Sequence, residues 1–469
     1  MIETKQQYIF TDNVSDNADS QPVERVLRPY QRERLKAVEA SRTRTQTDYI
    51  IDVAVIFILF HFLGFPGKLT NVLGNTIGTL IDYGCFALQL GLMLISSDSE
   101  LLQLKLLDFK FKYFPLYLYA VATILISIIA AGSGVKAYTI TYTRFVVTMV
   151  FGIWLAERYT PEELLELWLN AQTLYILANL FFMLRYPGIA YQWHGVDGRV
   201  LMGLVGVKNG FSKIMSFGML IQFTLLRIKA DRKQLPGMSF FILLLLHIYL
   251  ILLNKSVGGI LFAVIPAVYL FFFEPKMGQS GRLQLGFLYI VASVGFLFLA
   301  LTIMPLLEPL FNYLGKDATL TGRVPLWKQT ISVIMETHTI FGWGYLRFWE
   351  YEPAYSLIHA GFDETSFFAH MTAGSHNVIL EIVLGTGLVG LTFFFLMFII
   401  SLRSIPYMRE DQYVFCSGYI LMFLLFGLTE RGMAAGDYAT LMLFSVLGLA
   451  CSVALPPKDN LIRRHVENG

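Results

Sequence analysis

The chain has 469 residues, of which 55% are hydrophobic and 15% are charged, and its mean hydropathy is +0.57. This composition indicates an integral membrane protein and excludes an ordinary soluble globular protein. The formal net charge is +2, and the Lys and Arg residues are dispersed, which excludes a nucleic-acid-binding surface. All three cysteines lie in apolar segments, where neither a disulfide framework nor a zinc site is expected.

The N-terminal segment, residues 1–48, is polar and rich in arginine. No apolar core precedes a small-residue cleavage site, so we predict a cytoplasmic tail rather than a secretory signal peptide. The apolar segments begin after it. Windows of about 20 apolar residues, the length that crosses a bilayer core, predict twelve transmembrane helices, near 49–65, 72–96, 114–131, 140–157, 164–184, 211–228, 238–253, 256–273, 284–303, 376–400, 412–428 and 437–455.

The charges of the connecting segments predict the topology. With the N-terminus in the cytoplasm, the cytoplasmic segments carry most of the Lys and Arg, as the positive-inside rule requires. An even number of helices returns the C-terminus to the same side. We therefore predict an all-α polytopic membrane protein with a tail at 1–48, nine helices over 49–303, an extracytoplasmic loop at 304–375, three helices over 376–456 and a tail at 457–469.

Two predicted outer segments, 185–210 and 304–375, are too long to be simple turns, and loops of this length are usually functional. The second contains a helical pattern. Its apolar positions are Val324, Trp327, Ile331, Ile334 and Met335, and its polar positions are Lys328, Gln329, Ser332 and Glu336. The pattern predicts an amphipathic helix that lies on the membrane or caps the bundle.

Basic residues in the outer segments are candidates for binding an anion, because they oppose the topology rule. Arg199 and Arg323 are the main ones, and Lys208 and Lys213 follow Arg199 along the chain. Since a guanidinium can hold a phosphate through two parallel hydrogen bonds, two converging arginines would suit a diphosphate. The alternative is that each arginine pairs with a nearby aspartate, Asp197 or Asp317 respectively.

His376 begins the tenth predicted helix, directly after the long loop. A histidine can take a proton from a sugar hydroxyl near neutral pH, and the alternative is an interfacial or capping residue. Ser375 is a candidate cap for this helix. Asn377 and Glu381 lie four residues apart, which places them on one face and would extend a polar patch inward.

Other polar residues give weaker signals. Glu430 and Arg431 adjoin at the outer end of the eleventh predicted helix, either as a local pair or as polar lining. Asp82 could mark an ion path with Lys213. The loop histidines fit no metal-binding spacing and no outer Asp-x-Asp pair is present, so we expect no metal and no other cofactor.

Three motifs occur in order around the long loop: LGKDATLTGRVPLW, FGWGYLRFW, which includes Arg347, and SHNVILEIVLGTGLVG. This ensemble, over about 314–390, resembles the O-antigen ligase and Wzy-type polysaccharide polymerase superfamily, and most closely the succinoglycan-type exopolysaccharide polymerases. GRVLMGLVGVKNGFSK at 198–213 and TERGMAAGDY at 429–438 add weaker support. Elsewhere the likeness is one of hydropathy alone.

The resemblance implies a bundle of about twelve helices related to GT-C membrane glycosyltransferases, in a bacterial inner membrane with the active site on the periplasmic side. It implies glycan carried on undecaprenyl diphosphate as substrate. Residues matching Arg199 and Arg323 would hold the diphosphate, and His376 would serve the acceptor. The predicted substrate-binding residues are Lys208, Lys213, Arg347, Asn377, Glu381, Glu430 and Arg431.

The resulting hypothesis is a metal-independent, inverting polysaccharide polymerase, with a chain-length regulator as a possible partner. Two alternatives remain open. An O-antigen ligase would use the same donor chemistry but transfer the glycan to lipid A core. A transporter of lipid-linked oligosaccharide would instead use Asp82, Lys213 and Glu381 along one path, although the sequence shows no two-half symmetry of the kind many transporters have.

Overall fold

The computed structural model describes residues 46–95, 112–131, 135–193, 198–276, 285–303, 306, 323–362, 374–430 and 437–453. The chain divides into two compact units, residues 1–53 and residues 54–469. The described part of the first unit is the beginning of an α-helix. All other features considered below belong to the second unit.

The described residues are mainly helical. The α-helices, in chain order, are α1 Gln46–Phe62, α2 Thr70–Leu73, α3 Asn75–Ile95, α4 Phe114–Ala131, α5 Val135–Arg158, α6 Pro161–Arg185, α7 Pro187–Ala190, α8 Lys208–Asp231, α9 Met238–Asn254, α10 Val257–Val268, α11 Leu285–Thr302, α12 Arg323–Glu336, α13 Glu352–His359, α14 Val378–Leu402, α15 Glu410–Thr429 and α16 Tyr438–Ser452. Each of the twelve predicted segments overlaps one of them. The start of α6 shows how the sequence sets a boundary, because Thr160 and Glu163 form a reciprocal capping box around Pro161 at the first helical position.

The chain is an all-α polytopic membrane protein. Among the described residues, seven helices are long and apolar enough to cross a membrane, or eight if α1 and the short helices at Gly67–Leu73, bent by 84°, form one broken span. The shorter apolar helices are Phe114–Ala130, Met238–Asn254, Leu288–Thr302 and Tyr438–Ser452. Length and composition thus support seven or eight of the twelve predicted spans, and the others stay predictions.

Helix α8 is central, since it packs against α6, α9, α10 and α15. Buried polar side chains join it to these neighbours. Gln172 on α6 donates a hydrogen bond to the carbonyl of Ile214 at 3.2 Å, and Ser216 donates to the carbonyl of Gly259 on α10 at 2.7 Å. Such bonds satisfy backbone oxygens at close helix contacts, so they fix how α8 is placed in the bundle.

The segment that enters α8 is ordered, although the sequence predicted only a long loop there. Tyr191–Trp193 (β1) and Arg199–Leu201 (β2) form a two-stranded antiparallel hairpin in which Trp193 pairs with Arg199. The buried Asn254 donates to the carbonyl of Leu201 at 2.6 Å and to that of Lys208 at 3.1 Å. This one side chain at the end of α9 therefore holds both the hairpin and the first residue of α8.

The predicted amphipathic helix is α12, and it begins at Arg323. Trp327, Val333 and Ile334 are buried in a cluster with Phe348 and Trp349, and Lys328 is exposed. Met335, another predicted apolar position, lies outside this cluster, since its side chain is 68% exposed. The helix α13 was not predicted, because the sequence analysis assigned its residues to the long loop.

The chain around Gly342 inserts into a break in α14. Gly387, at φ 66° and ψ −170°, interrupts the helix, and the exposed amide of Leu388 donates to the carbonyl of Thr339 at 2.9 Å. A β-carbon at Gly387 would lie 2.0 Å from the carbonyl oxygen of Ile340. Only glycine adopts this backbone conformation without strain and also allows the close approach.

We expect Gly387→Ala to destabilise the folded protein by at least about 1–3 kcal/mol, because the new side chain adds backbone strain to a steric clash with Ile340. A matched control is Gly295→Ala in α11, where a β-carbon would meet nothing within 4 Å and alanine favours the helix. The measurement is the midpoint of thermal unfolding in one detergent. Equal midpoints for the two variants would contradict the role given to Gly387.

Candidate functional site

One carboxylate, that of Glu430, brings together residues from four parts of the chain. Its Oε1 accepts hydrogen bonds from Arg323 Nη2 at 2.9 Å and from Asn209 Nδ2 at 3.1 Å. Its Oε2 lies 3.1 Å from Nδ1 of His376. Arg323 begins α12, Asn209 lies in the first turn of α8, and Glu430 directly follows α15. We call Glu430, Arg323, His376, Asn209 and Lys213 the Glu430 cluster.

Glu430 is ionised over the whole physiological range. Burial alone would raise its pKa, but the hydrogen bond from His376 and the positive charges of Lys213 and Arg323 outweigh burial and lower the pKa to about 2. An ionised carboxylate can only accept hydrogen bonds. The proton between the two groups therefore belongs to Nδ1 of His376, and in the neutral ring the other nitrogen, Nε2, carries a lone pair.

The backbone at His376 is held in an uncommon conformation. Its φ is 54°, in the left-handed region, and Gly374 two residues earlier has φ 111°. Such a conformation costs a non-glycine residue about 1–3 kcal/mol and persists only where the surroundings enforce it. Here they do so, because the carbonyl of Ser375 accepts a hydrogen bond from the indole nitrogen of Trp327 at 2.8 Å. The imidazole is thus oriented from both its backbone and its Nδ1.

Asn377 and Glu381 fix the same segment. Asn377, not Ser375 as predicted, caps α14: its Oδ1 accepts from the amides of Ile379 and Leu380. The shorter serine side chain instead donates to the carbonyl of Asn377 at 3.2 Å. Glu381 accepts hydrogen bonds from the amide of Ser375 and, at 3.1 Å, from the indole of Trp349.

Lys213 supplies a second cation on the same side of α8 as Asn209, since the two residues lie four positions apart. Its ammonium lies 5.9 Å from the centre of the Phe426 ring, within the range of a cation–π contact, and its charge acts on Glu430. With neutral His376, Arg323 and Lys213 carry two positive charges against one negative charge. Counting only these described side chains, the cluster has one positive charge in excess, which favours an anion.

The other predicted residues lie elsewhere. Arg199 is exposed on the hairpin, where it donates to the carbonyl of Pro187 at 3.3 Å and lies 4.9 Å from the ring centre of Tyr191. Arg347 is buried, donates to the carbonyl of Ala130 at 2.8 Å and stacks on Tyr351. Lys208 forms the first residue of α8. Arg431, Asp197 and Asp317 lie outside the described residues.

The structure thus joins Arg323 and His376 through Glu430, whereas the contacts of Arg199 are with Pro187 and Tyr191. Asn209 and Asn254 were missed as site residues by the sequence analysis. An asparagine at the end of an apolar helix is only weak evidence for a functional site. The hydrogen-bond partners of both asparagines lie far away in sequence. Within the described ranges, no group of three or more His, Cys, Asp or Glu side chains could hold a metal ion.

Comparison with known proteins gives one family match. Residues 241–395 match the family model Wzy_C, described as O-antigen ligase. This stretch includes Arg323 and His376, while Asn209, Lys213 and Glu430 lie outside it. No curated protein sequence matches the chain at a significant level. The family match supports the O-antigen ligase and Wzy superfamily and an enzyme of the membrane glycosyltransferase type.

Proposed function

We propose that this protein is a polysaccharide polymerase that transfers glycan from undecaprenyl diphosphate to a sugar hydroxyl of a second lipid-linked repeat unit. One observation carries the proposal: Arg323, inside the predicted long loop, and His376, directly after it, contact the two oxygens of the same carboxylate on Glu430. A cation for a leaving group and a base for an acceptor are thereby held at one place.

The donor half of the reaction relies on positive charge. Rupture of the bond between the anomeric carbon and the diphosphate oxygen leaves additional negative charge on the diphosphate. Arg323 is oriented before the reaction, since its Nε donates to the carbonyl of Thr429 at 3.0 Å and its Nη2 donates to Glu430. A fixed guanidinium beside Lys213 stabilises the transition state more than the bound donor, which is the condition for catalysis.

The acceptor half relies on His376. Its Nδ1–H bond to Glu430 directs the ring, and the side chain is 19% exposed. As a new bond forms between the acceptor oxygen and the anomeric carbon, the hydroxyl proton moves to Nε2. Attack from the side opposite the diphosphate inverts the anomeric centre. Lys208, Arg347 and the hairpin residue Arg199 are further candidates for contacts with the substrate, and of these three Arg199 is the exposed one.

The site is proposed to face the periplasm from the bacterial inner membrane, with both termini in the cytoplasm and a chain-length regulator as an optional partner. The test is purified full-length protein in lipid nanodiscs with lipid-linked repeats isolated from the source cells. We expect chain elongation without nucleotide and unaffected by a chelator. Intact lipid-linked repeats after prolonged incubation, with native folding verified, would overturn the proposal.

Ligation to lipid A core is the second candidate, and the description of the matched family as O-antigen ligase favours it. The Glu430 cluster handles the donor identically in both reactions, so only the acceptor distinguishes them. Supplying lipid A core together with labelled lipid-linked repeats decides the matter: label in longer lipid-linked chains supports the polymerase, and label on lipid A supports the ligase.

The transporter alternative has less support. Lys213 belongs to the Glu430 cluster, Glu381 binds Ser375 and Trp349, and Asp82 lies beside His61 and Arg144. The three residues proposed for one path therefore have different partners. The same nanodisc preparation, assayed for movement of labelled lipid between leaflets, would test transport directly.

A further inference from the structure

A second polar site lies in a cavity of about 480 Å³ between the end of α1, the bent segment that follows it, α3 and α5. The lining residues on α3 recur at helical spacing from Asn75 to Gln89, so the cavity follows one helix face for about 20 Å. Its volume is within the range of about 300–1,000 Å³ that is usual for small-molecule sites. None of its lining residues belongs to the Glu430 cluster.

Two polar side chains that are more than nine-tenths buried line this cavity. Gln89 is 5% exposed and Thr148 is 2% exposed, and both line the cavity. An amide or hydroxyl that faces such a cavity can form a hydrogen bond with a polar molecule inside it. The amide on α3 and the hydroxyl on α5 therefore favour a polar occupant.

The charges in the cavity indicate that the occupant is uncharged. Asp82 lies 3.4 Å from His61 Nε2 and 4.0 Å from Arg144 Nη2. Arginine and aspartate therefore balance one another, in contrast to the net positive Glu430 cluster. The remaining lining is made of neutral hydrogen-bonding groups and the rings of Phe62, Phe65 and Phe86. Apolar rings beside dense hydroxyl and amide groups match the C–H faces and hydroxyls of a sugar.

Hydrogen bonds link the bent segment beside the cavity to the chain that leads into α8. The amide of Lys68, in the bent segment, donates to the carbonyl of Leu204 at 2.6 Å, and the Leu204 amide donates to Asn179 at 2.9 Å. The chain then continues from Leu204 into α8, where Asn209 binds Glu430.

We propose that this cavity binds an uncharged sugar ring of a glycan substrate, as a subsite distinct from the diphosphate-binding cluster. This inference rests on the proposed function, because a polymerase must hold two glycans at once while only one diphosphate leaves. The subsite accounts for the second glycan. Gln89 and Thr148 contribute the hydrogen bonds, and the aromatic rings contribute the apolar contact.

The test uses the free oligosaccharide repeat, released by mild acid from the lipid-linked intermediates of the source cells and therefore lacking a diphosphate. Binding to purified full-length protein is measured by saturation-transfer NMR with a titration. We expect Gln89→Leu and Thr148→Val each to weaken binding about five- to tenfold, the loss typical of one hydrogen bond to a neutral group. Both replacements keep the approximate volume, so folding is preserved.

Two controls separate this inference from the proposed function. Thr173→Val removes a hydroxyl that bonds within its own helix, to Leu169, and should not change binding. Arg323→Gln should slow elongation by about 10²–10³-fold while leaving oligosaccharide binding intact. Binding without elongation in the unsubstituted protein would support the subsite and refute the polymerase. Elongation together with no saturable binding, or with equal binding in the Gln89 and Thr148 variants, would overturn the subsite.

Discussion

Glu430→Gln is expected to lower the rate of glycan transfer by about 10²–10⁴-fold, the contribution typical of general base catalysis. Glutamine has only one oxygen, and the charged donor Arg323 competes best for it. The amide NH₂ group must then face His376, so Nδ1 becomes an acceptor and the ring proton moves to Nε2. The base is lost although His376 itself is unchanged.

The measurement is a single-turnover transfer assay at saturating donor. Because Glu430 acts through His376, the double variant Glu430→Gln with His376→Ala should be no slower than His376→Ala alone. Glu430→Asp keeps the charge and should restore part of the rate. If the rate reductions of Glu430→Gln and His376→Ala multiplied in the double variant, Glu430 would not act through His376. If Glu430→Asp were as slow as Glu430→Gln, the negative charge would not be what keeps the proton on Nδ1.

Much of the fold could be predicted because the dominant signal is local. Each apolar segment predicts a helix from its own residues. Thr160 and Glu163 likewise predict a helix start from a pattern of four consecutive positions. The hairpin at Tyr191–Trp193 and Arg199–Leu201 could not be predicted in this way. Its strands have three residues each, too few for an alternating pattern, and it is held by Asn254 from another helix.

The site was predictable in part. Arg323 stands out as an arginine within the long predicted outer loop and His376 as the residue directly after that loop, and the motif resemblance includes both. That they meet on Glu430 depends on how α12, α14 and α15 pack, which no local pattern records. The capping of α14 is similar: Ser375 and Asn377 both have suitable side chains, and the left-handed turn at His376 decides in favour of Asn377.

The net positive charge of the cluster distinguishes a diphosphate site from a buried ion pair. A simple pair of Arg323 with Glu430 would be neutral, and removing one partner would mainly destabilise the fold. Lys213 changes this balance, since it leaves one positive charge in excess even when His376 is neutral. If Arg323 only pairs with Glu430, its replacement should mainly lower the stability of the fold. If Arg323 also binds the substrate, its replacement should mainly lower the rate of glycan transfer.

Arg323→Gln is accordingly expected to reduce transfer at saturating donor by about 10²–10³-fold, as for loss of one preorganised group that stabilises developing charge. Arg323→Lys should give an intermediate loss, because an ammonium keeps the charge but cannot bind the Thr429 carbonyl and a phosphate in the fixed geometry of a guanidinium. The assay is single-turnover elongation, read together with the thermal unfolding midpoint of each variant.

The matched control is Lys328→Gln, which removes one positive charge from the exposed side of the same helix, α12. If only the overall charge of α12 mattered, both glutamine variants would slow transfer equally. If Arg323 were only a structural partner of Glu430, its loss would lower the unfolding midpoint while transfer by the folded fraction stayed within about twofold. A large rate loss confined to Arg323, with the midpoint largely retained, supports a guanidinium that acts in the reaction and not only in folding.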